Sequence, residues 1–144
     1  MTGGALEQPT ITNSAFTLTL DKNSHGASIV NCTGTYCVVT LPASSGDGSR
    51  FRVRVGTTAT SSFVIQVANA TDVMQGTLII ATDIAGVTIN TTATSDTITM
   101  SGSTTGGVAG SFVELIDVAS GFWQVSGGLI STGSEATPFS AAVS

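Results

Sequence analysis

Charge is what this sequence has least of. Only 9% of its 144 residues are Asp, Glu, Lys or Arg, against about 25% in an ordinary globular chain. Four basic side chains in a chain of net charge −5 cannot supply the positive field that phosphate binding needs. Nucleic acid is therefore not expected as a partner. Catalytic material is equally thin. One His, two Cys, one Lys and nine scattered carboxylates suggest neither a metal site nor a cofactor site. Several Asp residues (Asp47, Asp72, Asp83, Asp96) sit in or beside turn sequences, where their local hydrogen bonds favour them. No apolar run approaches the length of a membrane span. Helix formers at helical spacing are also missing. Met1 to Glu7 lacks the basic and apolar regions of a signal peptide. These absences point to a structural or binding protein rather than an enzyme.

The missing charge is replaced by Thr, Ser, Val, Ile and 17 Gly. Short stretches of β-branched and aromatic residues alternate with polar ones, separated by Gly, Asn, Asp and Ser clusters. That pattern predicts an all-β, antiparallel sandwich or barrel-like domain of about ten short strands. The strands are expected near 15–20, 27–32, 37–41, 50–55, 62–68, 77–81, 86–90, 96–100, 111–118 and 122–126. No tandem repeat emerges. The domain is expected to span 15–128, with an N-terminal arm over 1–14 and a C-terminal arm over 129–144. The arms are either frayed ends or extensions that lie on a neighbouring chain, with Leu6, Ile11, Phe139 and Val143 as apolar anchors.

Three features stand out against this background. Arg50, Arg52 and Arg54 hold three of the four basic residues and fall on one face of one strand, because side chains alternate. They either guard a sheet against edge pairing or dock on carboxylates of a partner, which suit the guanidinium fork. Cys32 and Cys37 flank Thr33-Gly34-Thr35-Tyr36, which reads as a hairpin loop. They form a short-loop disulfide or stay as two thiols. In the stretch 111–127, SFVELIDVASGFWQVSG, the adjacent Phe122 and Trp123 point to opposite faces. One ring then needs a cover from outside the sheet, which makes both candidates for an oligomer interface. The preceding strand shows no clean face: either Phe112, Glu114, Ile116 and Val118 or Val113, Leu115 and Asp117 point inward.

The succession Thr40-Leu41-Pro42, a Gly-rich turn, RFRVRVG (50–56), SSFVIQV (61–67), DTITMSG (96–102) and SFVELIDVASGFWQVSG (111–127) resembles tailed-bacteriophage capsid decoration, or cement, proteins. Similar modules occur in phage tail-fibre and spike domains. In related sequences the last part reads as a strand, an Asp-Gly-Thr turn and a Trp-Tyr-Val-Ser-Gly strand. This chain departs from that with Phe122, Gln124 and no Asp-Gly turn. The resemblance covers roughly residues 38–127. It implies a virion protein made in the host cytoplasm, a homotrimer on the outer surface of the head. Its partner would be the major capsid protein, contacted partly through the termini. The alternative implied is a tail-fibre or spike domain that binds host-surface glycan.

Overall fold

Period-two alternation in the sequence becomes strands with one buried and one exposed face. In the computed structural model, which describes residues 10–25 and 28–144, these strands build two layers. One is a seven-stranded sheet of β1 (Thr10–Asn13), β3 (Ser28–Cys32), β5 (Arg50–Val55), β10 (Phe112–Ala119), β11 (Phe122–Ile130), β7 (Val73–Ala81) and β8 (Gly86–Asn90), in that spatial order. The other has five strands: β12 (Phe139–Ser140), β9 (Thr97–Met100), β6 (Phe63–Gln66), β4 (Cys37–Thr40) and β2 (Thr17–Thr19). One helical turn, α1 (Lys22–His25), follows β2. The protein is thus all-β and sandwich-like, as its composition predicts.

The pairing is mixed rather than antiparallel throughout. From β1 to β6 every connection crosses to the opposite sheet, so the next strand on the same sheet runs the same way as the last. Hence β1, β3 and β5 are parallel, and so are β2, β4 and β6. Parallel neighbours require such crossovers, since a tight turn gives an antiparallel pair. The Cys32–Cys37 segment is therefore not a hairpin loop: it carries the chain from β3 in one sheet to β4 in the other. Among the described residues, only β7–β8 and β10–β11 are consecutive antiparallel pairs. Gly121 closes the second of these turns at φ 88°, a conformation costly for any residue with a Cβ.

Between the layers lies one core. The seven-stranded sheet contributes Val30, Phe51, Val53, Met74, Leu78, Ile80, Leu115, Trp123, Val125 and Leu129, and the other Val39, Phe63, Ile65, Ile98 and Met100. Trp123 is fully buried there, its ring 6.0 Å from that of Phe51. This corrects its expected place in an oligomer interface. The chain's own core and Lys22 cover the indole, and Phe122 alone turns outward. The indole Nε1 meets no acceptor among the described residues, so packing alone holds the ring.

The expected arms also fold back on their own chain. Ile11 lies in β1, opposite Val30, with its side chain half-buried. Phe139 joins the core from β12, which pairs with β9, and Val143 packs against the same cluster. The Asp96 carboxylate secures this end by accepting from the backbone N–H of Ala142 at 2.8 Å and of Val143 at 3.2 Å. As anchors, Ile11, Phe139 and Val143 thus serve the chain's own sheets, because unpaired strand edges lay next to both segments. Leu6 lies outside the described residues.

Trp123→Ala should empty the largest core site and lower stability by about 3–5 kcal/mol. Phe122→Ala should cost much less. Urea denaturation of both variants checks the assignment of the two rings.

Candidate functional site

Two places gather functional side chains: the outer face of the seven-stranded sheet, and a loop clamped at one end of it.

The outer face follows from strand register. Arg50, Arg52 and Arg54 are exposed, while Phe51, Val53 and Val55 between them are buried. Next to them, β10 turns Val113, Leu115 and Asp117 inward, which leaves Phe112, Glu114 and Ile116 outside and half-buried. Cross-strand partners are Arg54 with Phe112, Arg52 with Glu114, and Arg50 with Ile116. On the far side of β10, Phe112 stands opposite Gly128, and a Cβ there would meet the Phe112 ring at 3.3 Å. The ring therefore covers the strand where no side chain stands, and the Arg52 guanidinium lies 4.8 Å over it. This explains why neither face of that strand reads as clean in the sequence.

The three arginines are not equivalent. Arg52 reaches Glu114 at 3.7 Å, with both side chains substantially exposed, a pair worth less than about 1 kcal/mol. Arg54 donates to Asn31 Oδ1 at 2.9 Å. Arg50 has no carboxylate within ion-pair distance among the described residues. The row is thus one neutralised cation between two available ones. Farther across the sheet the same face exposes Phe122, Ile79 and Ile130. Large apolar side chains beside unspent cations are what a docking surface offers.

The clamped loop joins β4 to β5. Its Ser45 and Gly46 N–H groups donate to the Asp117 carboxylate at 2.8 and 2.7 Å, and Gly46 adopts φ 81°. The Asp117 side chain has no solvent exposure and accepts also from Lys22 Nζ. Lys22 in turn lies 3.1 Å from Asp47 and 5.9 Å from the Trp123 ring. A second buried carboxylate, Asp72, holds the same loop through the Ser44 N–H and hydroxyl, each at 2.8 Å. The Ser44 oxygen then accepts from the Gly121 N–H at 2.7 Å. Sequence reading singled out neither Lys22 nor its tie to Asp117. Their separation of 95 residues leaves no local signal.

Lys22 Nζ also lies 2.9 Å from Ser45 Oγ, the spacing of a Ser–Lys nucleophile pair. The electrostatics oppose that use. Burial tends to lower the Lys22 pKa, but its hydrogen bonds to Asp117 and Asp47 outweigh this and raise it. A cation held that firmly is no general base. For Asp117, burial pushes the pKa up, yet the Lys22 contact and the two N–H groups prevail and hold it below the ordinary range. This is a structural ion pair.

Cys32 and Cys37 are both buried free thiols. Burial, then the neighbouring Cys37, pushes the Cys32 thiol well up, the opposite of an activated cysteine. Cys37 Sγ approaches the Ala15 carbonyl at 3.6 Å. No group of three or more His, Cys, Asp or Glu side chains among the described residues could hold a metal ion. Comparison of the chain with protein-family models, curated proteins and solved structures finds no match.

Because the folded-state pKa of Asp117 is lowered, its contribution is fully present above the ordinary value of 3.8. It is lost as pH falls through the folded value. Lys22, raised from 10.5, keeps its contribution below that and loses it as pH rises further. Stability should therefore be level from the ordinary carboxylate value up to the ordinary thiol value of 9.0. Above that the raised thiol of Cys32 begins to cost stability, followed at higher pH by Lys22. Asp117→Asn should cost about 3 kcal/mol or more at neutral pH and flatten the acid limb, as read by urea midpoints from pH 2 to 8.

Proposed function

We propose that this chain is a capsid decoration protein, which binds the outer surface of a tailed-phage head and stabilises contacts between major capsid protein subunits. The observation that carries the reading is the outer face of the seven-stranded sheet, where Arg50 and Arg54 have no carboxylate partner among the described residues and stand beside Ile116 and Phe112, with Phe122 exposed on the next strand but one. A shell is strengthened by any protein that binds its assembled form and not its separated subunits. Such a clamp needs area and complementarity rather than catalysis. Many copies on one particle turn modest contacts into lasting attachment. Acidic groups on the capsid are the counterpart this face fits, because Arg pairs bidentately with carboxylate.

One feature favours the second reading, a tail-fibre or spike module that binds host-surface glycan. Phe16 is 65% exposed and packs 5.6 Å from Tyr36, an aromatic surface on which a sugar ring could stack. Trp123, buried, is withdrawn from that role.

Imaging of the particle that carries the chain decides between them. Density distributed over the head, at the three-fold symmetry that the resemblance implies, is the expected result. Density confined to the tail tip overturns the decoration reading in favour of the glycan one.

Replacing Arg50, Arg52 and Arg54 together with Gln should leave stability almost unchanged, since all three are exposed. Binding to undecorated heads should weaken by about tenfold or more at low salt and lose most of its salt dependence. Unchanged binding would leave the row only its role as a guard on the sheet.

A further inference from the structure

The outer edge of β8 is a self-complementary strand without the usual guards. Its backbone polarity follows from two hydrogen bonds that flank it. Thr91 N–H donates to Gly76 at 3.0 Å and Thr82 N–H to Ala85 at 2.8 Å. In an antiparallel pair bonded and non-bonded positions alternate. With the register Leu78–Ile89 and Ile80–Val87, those two residues of β8 spend their backbone groups on β7. Gly86, Thr88 and Asn90 therefore aim their N–H and C=O groups away from the sheet, where no described strand receives them.

The four sheet edges differ in how they are protected. On the five-stranded sheet the edge strands β12 and β2 have two and three residues, too short to template much pairing. On the other sheet β1 has four residues and β8 five. Beyond its length, β8 offers apolar cover to gain. Val87 faces the core side of the sheet yet is 38% exposed, Ile89 beside it is half-buried, and Ile84 at the hairpin tip is 95% exposed. From Ile84 to Ser95 there is no charged residue and no proline. The common devices against edge-to-edge association, Lys, inward charge, Pro or a bulge, are all absent from this strip.

We propose that β8 pairs antiparallel with β8 of a second copy of this chain, across a two-fold axis at Thr88. In that register Thr88 meets Thr88, Gly86 meets Asn90, and each pair exchanges both of its outward hydrogen bonds. Val87 of one copy then lies beside Ile89 of the other, which covers both on the core side. A second copy suits this edge better than an unrelated charged protein. Two chains of net charge −5 repel, and the uncharged strip is where they approach at least cost. The same axis sets the outer faces of the two copies side by side at the seam, so two arginine rows can act on one surface. The contact is small beside a standard interface of about 1,600 Å², so it assembles reversibly with concentration. It does not rest on the decoration reading, and a three-fold contact elsewhere on the molecule is compatible with it.

The test is sedimentation of the full chain over a range of concentrations, paired with amide hydrogen exchange. A dimer that grows with concentration, with the Gly86, Thr88 and Asn90 amides protected in step, is the expected result. Thr88→Lys sets like charges directly opposite each other at the axis and should weaken association at least about tenfold. Thr88→Pro removes only an outward N–H and should do the same while β7–β8 amides stay protected. If either variant fails to fold, the wild-type exchange data decide alone. A monomer at every concentration, or an oligomer whose Thr88 amide exchanges freely, overturns the proposal.

Discussion

The Lys22–Asp117 pair is the contact on which the rest of this structure leans. Asp117 belongs to β10 in the middle of the seven-stranded sheet, and its side chain is closed off from solvent. A carboxylate in that position is costly unless its charge and its lone pairs are answered. Lys22 answers the charge, and the Ser45 and Gly46 amides answer the lone pairs. In meeting one residue's needs, the fold joins three distant pieces: the α1 turn after β2, the β4–β5 loop, and the strand beside Trp123. The same loop is held at its other side by Asp72. Loops normally run free over a surface; this one is fastened at its middle, Ser44 to Gly46, by two buried carboxylates, which restrains the approach to β5 and its arginines.

A second constraint is the alternation of the chain between layers. With each connection from β1 to β6 crossing the sandwich, no strand in this half pairs with its sequence neighbour. Every local element must wait for a partner some 20 residues away, as Val30 does for Val53. Long-range pairing of this kind folds slowly, and it leaves the order of strands unreadable from turn chemistry.

That contrast explains what was legible in the sequence. All ten expected strands are present, because alternation reports burial directly: RFRVRV is sufficient to put Phe51, Val53 and Val55 inside. Pairing partners were not legible, since a two-residue period is the same for parallel and antiparallel neighbours. For that reason the Cys32–Cys37 crossing reads as a hairpin loop. The two strands at the ends, β1 and β12, escaped because each carries a single large apolar residue, Ile11 or Phe139, amid small and polar neighbours. Alternation puts Phe122 and Trp123 on opposite faces, but only the folded core shows that the indole is covered from within the chain. Of the candidate site, the arginine row was visible and its partners Glu114, Phe112 and Asn31 were not, for they arrive from other strands.

The scarcity of charge acquires a sharper meaning once the partners are known. Of the four cations, Lys22 is committed to Asp117 and Asp47, and Arg52 to Glu114 and the Phe112 ring. Three of the acidic groups, Asp72, Asp96 and Asp117, are buried and bind backbone N–H groups. They act as internal fasteners, not as surface charge. What remains outside is a sheet with few charges and long stretches of Thr, Ser, Val and Ile. Such a surface does little to keep copies apart, since solubility and monomeric behaviour rest on charge well distributed over the exterior. Fastening the loops inward and leaving the outer face and the β8 edge open therefore go together. Both follow from using carboxylates to close the fold rather than to solvate it, and a chain built this way is suited to contact more than to solitude.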